Sequence, residues 1–137
     1  MDFRKFLQFG FVAVGITLVA SGCSTPQTTR TAGIRDVEIR DVLSAESLLV
    51  QPGDEVRWVN LRKNEVTVDI PNLKSEDLAC ERGFRNWLGS LRETAVLSPN
   101  QTASLCFQKA AVINYNVRVE TALAGGKLIL PGTIKVG

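Results

Sequence analysis

Ser47-Leu-Leu-Val-Gln-Pro-Gly-Asp-Glu-Val-Arg-Trp-Val-Asn60 is the stretch that decides the fold, because it predicts a strand, a tight turn and a second strand. In the second strand, Val56 and Trp58 alternate with charged residues, which is the period of a strand with one buried face. Pro52-Gly-Asp54 indicates a turn, since proline presets φ, glycine accepts a positive φ and aspartate bonds nearby backbone. The later segments are therefore expected to return and cover Trp58.

Alternating apolar residues predict further strands on both sides of this stretch. They fall at residues 34–43, 65–70, 93–97, 102–107, 112–120, 127–130 and 133–136. Residues 61–64 are polar and predict a hairpin loop after the Trp58 strand. A break is expected at Pro131-Gly132, and no internal repeat is present.

The apolar period changes from two to 3.6 in residues 75–92, which predicts one short or broken helix packed on the sheets. Its apolar face would contain Cys80, Phe84, Trp87, Leu88 and Leu91. Ser75 would cap the helix, and the two acidic residues that follow would stabilise its first turn. Gly83 and Gly89 weaken this prediction by about 1 kcal/mol each. On this interpretation Phe84 and Trp87 are core residues and not a ligand-binding pair.

Composition places limits on the function. The chain has 137 residues and a formal charge of +2, with basic and acidic residues interspersed. A mixed, nearly neutral surface gives no electrostatic reason to propose a nucleic-acid partner. Once a leader is removed, about 115 residues remain, which is the size of one domain.

Residues 1–22 predict a bacterial lipoprotein signal peptide. Arg4 and Lys5 precede an apolar run of residues 6–20, which is short for a membrane-spanning helix. Ala20-Ser-Gly-Cys23 then resembles a lipobox, in which the cysteine becomes the acylated N-terminus and carries chains such as palmitate. A plain signal peptide or an uncleaved anchor with an incidental cysteine is the alternative.

Residues 23–33 are accordingly expected to be the acylated Cys23 and a polar, flexible tether. Several acyl chains would hold the protein stably at a membrane. Ser24 resembles the sorting signal for the outer membrane. The expected location is the periplasmic face of the bacterial envelope, with the outer membrane favoured.

The order of motifs from residue 36 to residue 137 resembles the cupredoxin family, which contains small blue-copper proteins. Val-x-Pro-Gly-Asp-x-Val-x-Trp-x-Asn, at residues 50–60, carries the first part of the resemblance. Residues 97–107, 115–119 and 131–136 resemble the family's later strands, in the same order. The resemblance implies that residues 34–137 form an all-β, Greek-key β-sandwich. An immunoglobulin-like sandwich is the alternative fold.

The chain departs from the family at the copper ligands. A blue-copper site needs two imidazoles and a thiolate, often with an axial methionine. This sequence contains no histidine, and its only methionine is Met1. The resemblance would place the first histidine near Asn64 or Glu65, the cysteine near Val117 and the methionine near Leu130. We therefore expect a cupredoxin-like scaffold with no metal site and no cofactor.

Cys80 and Cys106 remain after Cys23 is assigned to acylation. Two cysteines in an exported domain most often form a structural disulfide, here expected to pin the helix to the strand that ends at Phe107. Closing this loop would stabilise the domain by about 3 kcal/mol. A redox-active thiol pair is the alternative, but the close Cys-x-x-Cys spacing that lowers a thiol pKa is missing.

No catalytic constellation is recognisable. Glu65 and Glu120 are interpreted as solvent-facing charges at strand ends, and without histidine there is no Ser-His or Cys-His nucleophile. The sequence thus predicts a non-catalytic envelope lipoprotein, a binding or accessory module with an envelope protein as partner. Two alternatives are an electron-transfer or copper-handling protein that uses a partner's ligands and a thiol-disulfide exchanger.

Overall fold

Two sheets of strands make up the computed structural model, which describes residues 32–121 and 124–137. Nine strands occur in the described residues: β1 (Ile34–Ile39), β2 (Ser47–Val50), β3 (Glu55–Asn60), β4 (Val66–Asp69), β5 (Leu78–Arg82), β6 (Thr94–Leu97), β7 (Thr102–Phe107), β8 (Ala111–Glu120) and β9 (Lys127–Val136). One sheet has the order β1-β3-β7-β5 and the other β2-β9-β8-β4-β6. The predicted all-β sandwich is confirmed.

The turn that follows β2 carries the chain from one sheet to the other. β2 pairs in parallel with β9, whereas β3 pairs in parallel with β1. Gly53 has the positive φ expected there, at 88°. The buried Asp54 accepts hydrogen bonds from the backbone N–H groups of Gln51 and Gly33, both at 3.0 Å. Asp54 therefore fixes the turn and the start of β1 together.

Trp58 lies at the centre of the core between the two sheets and has no exposed surface. Its ring makes edge contacts with Phe84 and Tyr115, whose centroids lie 5.8 and 5.4 Å away. Every second residue of β3 is buried, as its alternation predicts. The expectation that later strands cover Trp58 is met, because β8 supplies Tyr115 from the opposite sheet.

The prediction that residues 61–64 form a hairpin loop is wrong, because β3 and β4 belong to different sheets. The buried Asn60 directs this crossing. Its side-chain N–H groups donate to the carbonyl oxygens of Asn64 and Leu97 at 2.8 and 2.9 Å, and its Oδ1 accepts from the N–H of Arg62 at 2.9 Å. A polar loop joins strands of one sheet as readily as strands of two, so composition did not distinguish the two cases.

The helix predicted for residues 75–92 does not form. A single 3-10 turn at Ser75–Asp77 is followed directly by β5, which pairs with β7. Lys74, not Ser75 as predicted, occupies the N-cap position, and its side chain makes no capping hydrogen bond. Gly83 and Gly89 have φ of 94° and 80°, values outside the helical region. Strand pairing along the open edge of β7 thus outweighs the 3.6-residue period.

Only part of the predicted helix face is buried. Phe84 is fully buried and Leu91 packs at the edge of the core, but Leu88 is 68% and Trp87 91% exposed. The prediction that Trp87 is a core residue is wrong. This error has the same origin as the wrong helix prediction. The residues that would have shared one helix face lie along a strand and a loop.

The other predicted strands also form, but their bounds clearly differ in two places. β1 ends at Ile39, four residues before the end predicted at residue 43. The break expected at Pro131-Gly132 is absent, and β9 runs through both residues. β2 pairs only with residues 133–136, so β9 has β8 as its sole neighbour at Pro131, and no backbone donor is needed there. Gly132 is required for another reason, because a Cβ at this position would overlap the Tyr115 ring.

Within the described residues, no helix has the length and apolarity needed to cross a bilayer. The predicted signal peptide, residues 1–22, and Cys23 lie outside the described residues. The predicted division of the chain at residue 34 stays a prediction.

Candidate functional site

The positions at which the resemblance places copper ligands lie on adjacent strands of the five-stranded sheet. Val117 of β8 is the register neighbour of Leu130 on β9 and of Val68 on β4. The fold therefore brings the predicted cysteine and methionine positions next to each other. Val117 has no exposed surface, and Leu130 packs against the core. Hydrocarbon side chains fill the space between these strands.

Asn64 and Glu65, at the predicted histidine position, are both exposed at the start of β4. Asn64 contributes its backbone carbonyl oxygen to the Asn60 side chain. Asn60 also donates its own N–H to Gln101 and accepts from the N–H of Asn100, at 3.0 and 2.7 Å. These hydrogen bonds hold the loop after β3 against the loop between β6 and β7. Sequence analysis quoted Asn60 as part of a motif but missed this role.

Metal-binding side chains do not gather elsewhere in the described part of the chain. There, no group of three or more cysteine, aspartate or glutamate residues is placed to hold an ion. Glu65 and Glu120 lie at the rim of one shallow pocket of about 160 Å³, which Arg118 and Lys127 also line. Both glutamates are exposed, and Arg118 and Lys127 are the two cations of this pocket. This arrangement matches the prediction of solvent-facing charges.

The aromatic cluster around Trp58 contains two buried polar atoms. Neither Trp58 Nε1 nor the Tyr115 hydroxyl makes a hydrogen bond of standard geometry within the described residues. Burial raises the pKa of Tyr115 above its usual value, because the phenolate form would lose its hydration, although the Trp58 side chain acts on that hydroxyl and tends to lower its pKa. The cluster is therefore a buried aromatic core between the two sheets.

Cys80 and Cys106 form a disulfide, as the sequence predicts. They are register neighbours on β5 and β7, and their Cα atoms lie 4.8 Å apart. The prediction that the bond pins a helix to a strand is wrong, since it links two paired strands. Cys106 is only 8% exposed. The disulfide thus fastens β5, an edge strand, to the interior strand β7.

An exposed turn between β5 and β6 is the feature that sequence analysis missed. Trp87 and Leu88 lie at its tip, and they belong to the residues assigned above to a helix face. The signal that could have located it is Asn86-Trp-Leu-Gly89, since asparagine followed by a later glycine is typical of a tight turn.

Comparison with known proteins reveals the fold and little beyond it. No protein-family model matches the chain, and no curated protein matches it. Among solved structures, a reduced point mutant of amicyanin matches with a TM-score of 0.51 and 19% identity, covering 80% of this chain and 87% of that one. An oxidised point mutant of amicyanin matches with the same TM-score and coverage at 21% identity. Amicyanin is a cupredoxin, so the fold of this domain is cupredoxin-like.

Proposed function

We propose that this protein is a non-catalytic lipoprotein of the bacterial envelope whose copper-free, cupredoxin-like domain acts as a binding or accessory module. The observation that supports this most directly is the packing of Val117 and Leu130. These residues occupy the predicted thiolate and thioether positions, and both contribute to the core.

The chemistry of the remaining donors supports the same proposal. A blue-copper centre requires imidazole nitrogen, which the 137-residue chain cannot supply. Cys80 and Cys106 are bonded to each other, and so neither offers a thiolate. Carboxylates such as Glu65 favour harder metals than copper(I). A domain of this composition would contact other molecules through its surface instead of through a bound metal.

The N-terminal sequence supports the location. Arg4 and Lys5, the apolar run and the small residues before Cys23 form the order expected of a lipoprotein leader. Acylation of Cys23 would anchor the domain at the periplasmic face of a membrane, with the outer membrane favoured by Ser24. An envelope protein is the proposed partner.

Copper titration of the purified protein tests the absence of a metal centre. We expect no intense blue absorption band after addition of copper(II) and no stoichiometric copper after desalting. The matched control is the double variant Glu65→His/Val117→Cys, which restores two ligand types at the family positions and should raise the retained copper. A blue band in the unaltered protein would refute the proposal.

Mass spectrometry of the protein isolated from bacterial envelopes tests the anchor. We expect an N-terminus at Cys23 carrying acyl chains, and Cys23→Ala should abolish the modification. Recovery of residues 1–23 attached and unmodified would contradict the lipoprotein assignment. Crosslinking in intact envelopes, followed by identification of the captured protein, then tests the proposed partner.

One alternative has an observation in its favour. The structural neighbours are amicyanin mutants solved in reduced and oxidised states, and an electron-transfer or copper-handling role would need a partner chain to donate ligands. Metal analysis of the protein in its native envelope complex separates the two proposals. Stoichiometric copper in the complex, lost on separation of the chains, would favour the alternative.

A further inference from the structure

Residues 85–91, called here the Trp87 turn, form a short hairpin that projects from the edge of the sandwich. Arg85 and Leu91 make the bridge at its base. Asn86 Oδ1 accepts hydrogen bonds from the N–H groups of Leu88 and Ser90, at 3.0 and 2.9 Å. The backbone N–H of Asn86 donates to Ser90, and that of Gly89 donates to Asn86, both at 2.9 Å. The turn therefore has a defined shape and holds its tip away from the core.

The base of the turn is fixed to the domain by a second set of contacts. Arg85 Nε lies 2.6 Å from the carboxylate of Glu81, whose side chain is only 7% exposed. Arg85 also donates to the carbonyl oxygen of Gly89 at 2.8 Å. Beyond the turn, the N–H of Arg92 donates to Phe84 at 2.6 Å. Since Phe84 packs against Trp58 in the core, the turn is rigidly connected to the sandwich.

The tip of the turn exposes two large apolar side chains side by side. Trp87 is 91% exposed, the highest value among the large apolar residues of the described chain, and Leu88 is 68% exposed. A tryptophan that leaves water contributes a large apolar area and retains an N–H donor for a polar neighbour. The indole N–H of Trp87 can thus remain hydrated or bond an oxygen atom while its rings are buried.

The segment that carries the tip is basic, although Glu81 and the exposed Glu93 flank it directly. Residues 82–92 contain Arg82, Arg85 and Arg92 and no acidic residue, whereas the whole chain has a net charge of only +2. Arg85 is neutralised by Glu81, but Arg82 and Arg92 are exposed on either side of the turn. Its surroundings therefore combine an apolar tip with two exposed guanidinium groups, of which that of Arg82 also donates to the Thr102 hydroxyl at 3.4 Å. This combination is complementary to a surface that is negatively charged outside and apolar beneath.

We propose that the Trp87 turn inserts into the interface of an anionic lipid bilayer, with Trp87 and Leu88 at the headgroup–acyl boundary and Arg82 and Arg92 against lipid phosphates. Tryptophan is enriched at this depth because one part of its ring system is apolar and another is polar. Arginine binds phosphate through paired N–H groups. This contact goes beyond the proposed function and does not require a lipid on Cys23.

The position of the turn also allows the domain to reach a membrane while tethered to it. The turn follows β5, and β1 lies on the opposite edge of the same four-stranded sheet, so the two strands are separated laterally by roughly 14 Å at ~4.8 Å per strand. Because β1 and β5 run in the same direction, the turn leaves β5 at the end away from the start of β1, which adds to the distance that the tether must span. Residues 24–33 could span up to about 35 Å when extended. A chain held at Cys23 and a tip at Trp87 could therefore contact one bilayer at the same time.

Depth-dependent fluorescence quenching tests the proposal. The full chain is mixed with vesicles of phosphatidylglycerol and phosphatidylcholine, or of phosphatidylcholine alone, with bromine-labelled acyl chains. We expect the anionic vesicles to quench the Trp87 emission, to shift it to shorter wavelength and to protect it from an aqueous quencher. Trp58 is the internal control, because it is buried in the protein core and should not respond.

Variants assign the signal and test the role of charge. Trp87→Phe should remove the quenchable component, whereas Leu49→Ala, at an apolar residue on β2 that is 75% exposed, should leave it unchanged. Each of Arg82→Gln and Arg92→Gln should weaken the partition of the tip into anionic vesicles about fivefold. The loss should be smaller in phosphatidylcholine alone.

Two results would overturn the inference. The first is that, with anionic vesicles, the aqueous quencher still reduces the Trp87 emission and the bromine-labelled chains do not. The other is the same vesicle result combined with protection of Trp87 in native envelopes, which would assign the turn to a protein partner instead of lipid. Neither result depends on whether Cys23 is acylated or whether copper binds, so the proposed function is tested separately.

Discussion

The two tryptophans of the chain lie in opposite environments, although their sequence surroundings suggested the same one. Trp58 has no exposed surface and contacts two aromatic rings, whereas Trp87 is 91% exposed at the tip of a turn. Phe84, only three residues before Trp87, is one of the rings that pack on Trp58. The difference shows that apolar character decides burial only when the backbone conformation is known.

The contrast has a simple origin in backbone geometry. Trp58 belongs to an alternating strand with partners on both sides, so every second side chain must point into the core. Trp87 follows Gly83, where φ is positive and an added Cβ would lie 2.8 Å from that of Ala103. The chain changes direction at this glycine. The residues after it therefore leave the sheet.

Replacing each tryptophan in turn should give the largest difference in the free energy of unfolding. Trp58→Ala is expected to lower the free energy of unfolding by about 3–5 kcal/mol, because it leaves a cavity between the sheets. Trp87→Ala should change it by less than about 0.5 kcal/mol, as for other exposed positions. Urea titration monitored by circular dichroism measures both. Comparable losses in the two variants would contradict the assigned environments, and Trp58→Phe provides a milder core substitution.

The disulfide connects the strand that leads to the Trp87 turn with the strand that packs beside Trp58. Its two cysteines are separated by 26 positions, and the variant Cys80→Ala/Cys106→Ala should lose about 3 kcal/mol of stability in the chain-entropy account. Thermal unfolding of the unaltered protein with and without a reductant gives the matched comparison. The reductant should lower the stability of the unaltered protein and leave the double variant unaffected. Equal stability of all four samples would exclude a stabilising role.

Asn86 should restrict the motion of Trp87 without affecting the environment of Trp58. Asn86→Ala removes two hydrogen bonds of the turn and is expected to cost about 1 kcal/mol at most. The sharper measurement is the fluorescence anisotropy of Trp87 in a Trp58→Phe background, which should decrease. Asn86→Asp keeps the accepting oxygen and should preserve the anisotropy. An unchanged signal in Asn86→Ala would mean that other contacts hold the tip.

The smallest expected effect on stability at neutral pH comes from Tyr115. Its titration tests whether the core around Trp58 is closed to water. Burial raises the pKa of Tyr115, so folding favours the neutral phenol. Stability from this group is therefore fully present below about pH 10, the pKa of an unfolded tyrosine, and is lost as the pH rises through the higher folded pKa. Tyr115 is the only tyrosine, so ultraviolet absorbance reports it alone. Titration of the folded protein near pH 10, as in urea, would show an open site.

Much of the fold could be predicted from the sequence. Alternation located β3, β4, β7 and β8 within one or two residues, and the Pro52-Gly-Asp54 turn formed as expected. The pairing of Cys80 with Cys106 also followed, because no other cysteine was left in the domain. These predictions depend on local geometry and on counting, which need no knowledge of the packed structure.

The candidate site was less accessible to prediction. Sequence reasoning placed Val117 and Leu130 at related positions, and the register confirms that they are neighbours. It could not show that Asn60 joins two loops, since the carbonyl oxygen of Leu97 is 37 positions away in the chain. The Trp87 turn was hidden by a helical period that β5 overrode when it paired with β7.

The sequence by itself determined the alternating strands, the sharp turns and the lack of imidazole, because each is a property of neighbouring residues or of composition. The tertiary structure alone decided which sheet each strand joins, and hence which apolar residues are covered. Strand partners for β5 come from residues far along the chain, and their hydrogen bonds outweigh the weak helical preference of a segment that contains two glycines. That choice places Phe84 against Trp58 and leaves Trp87 facing outward.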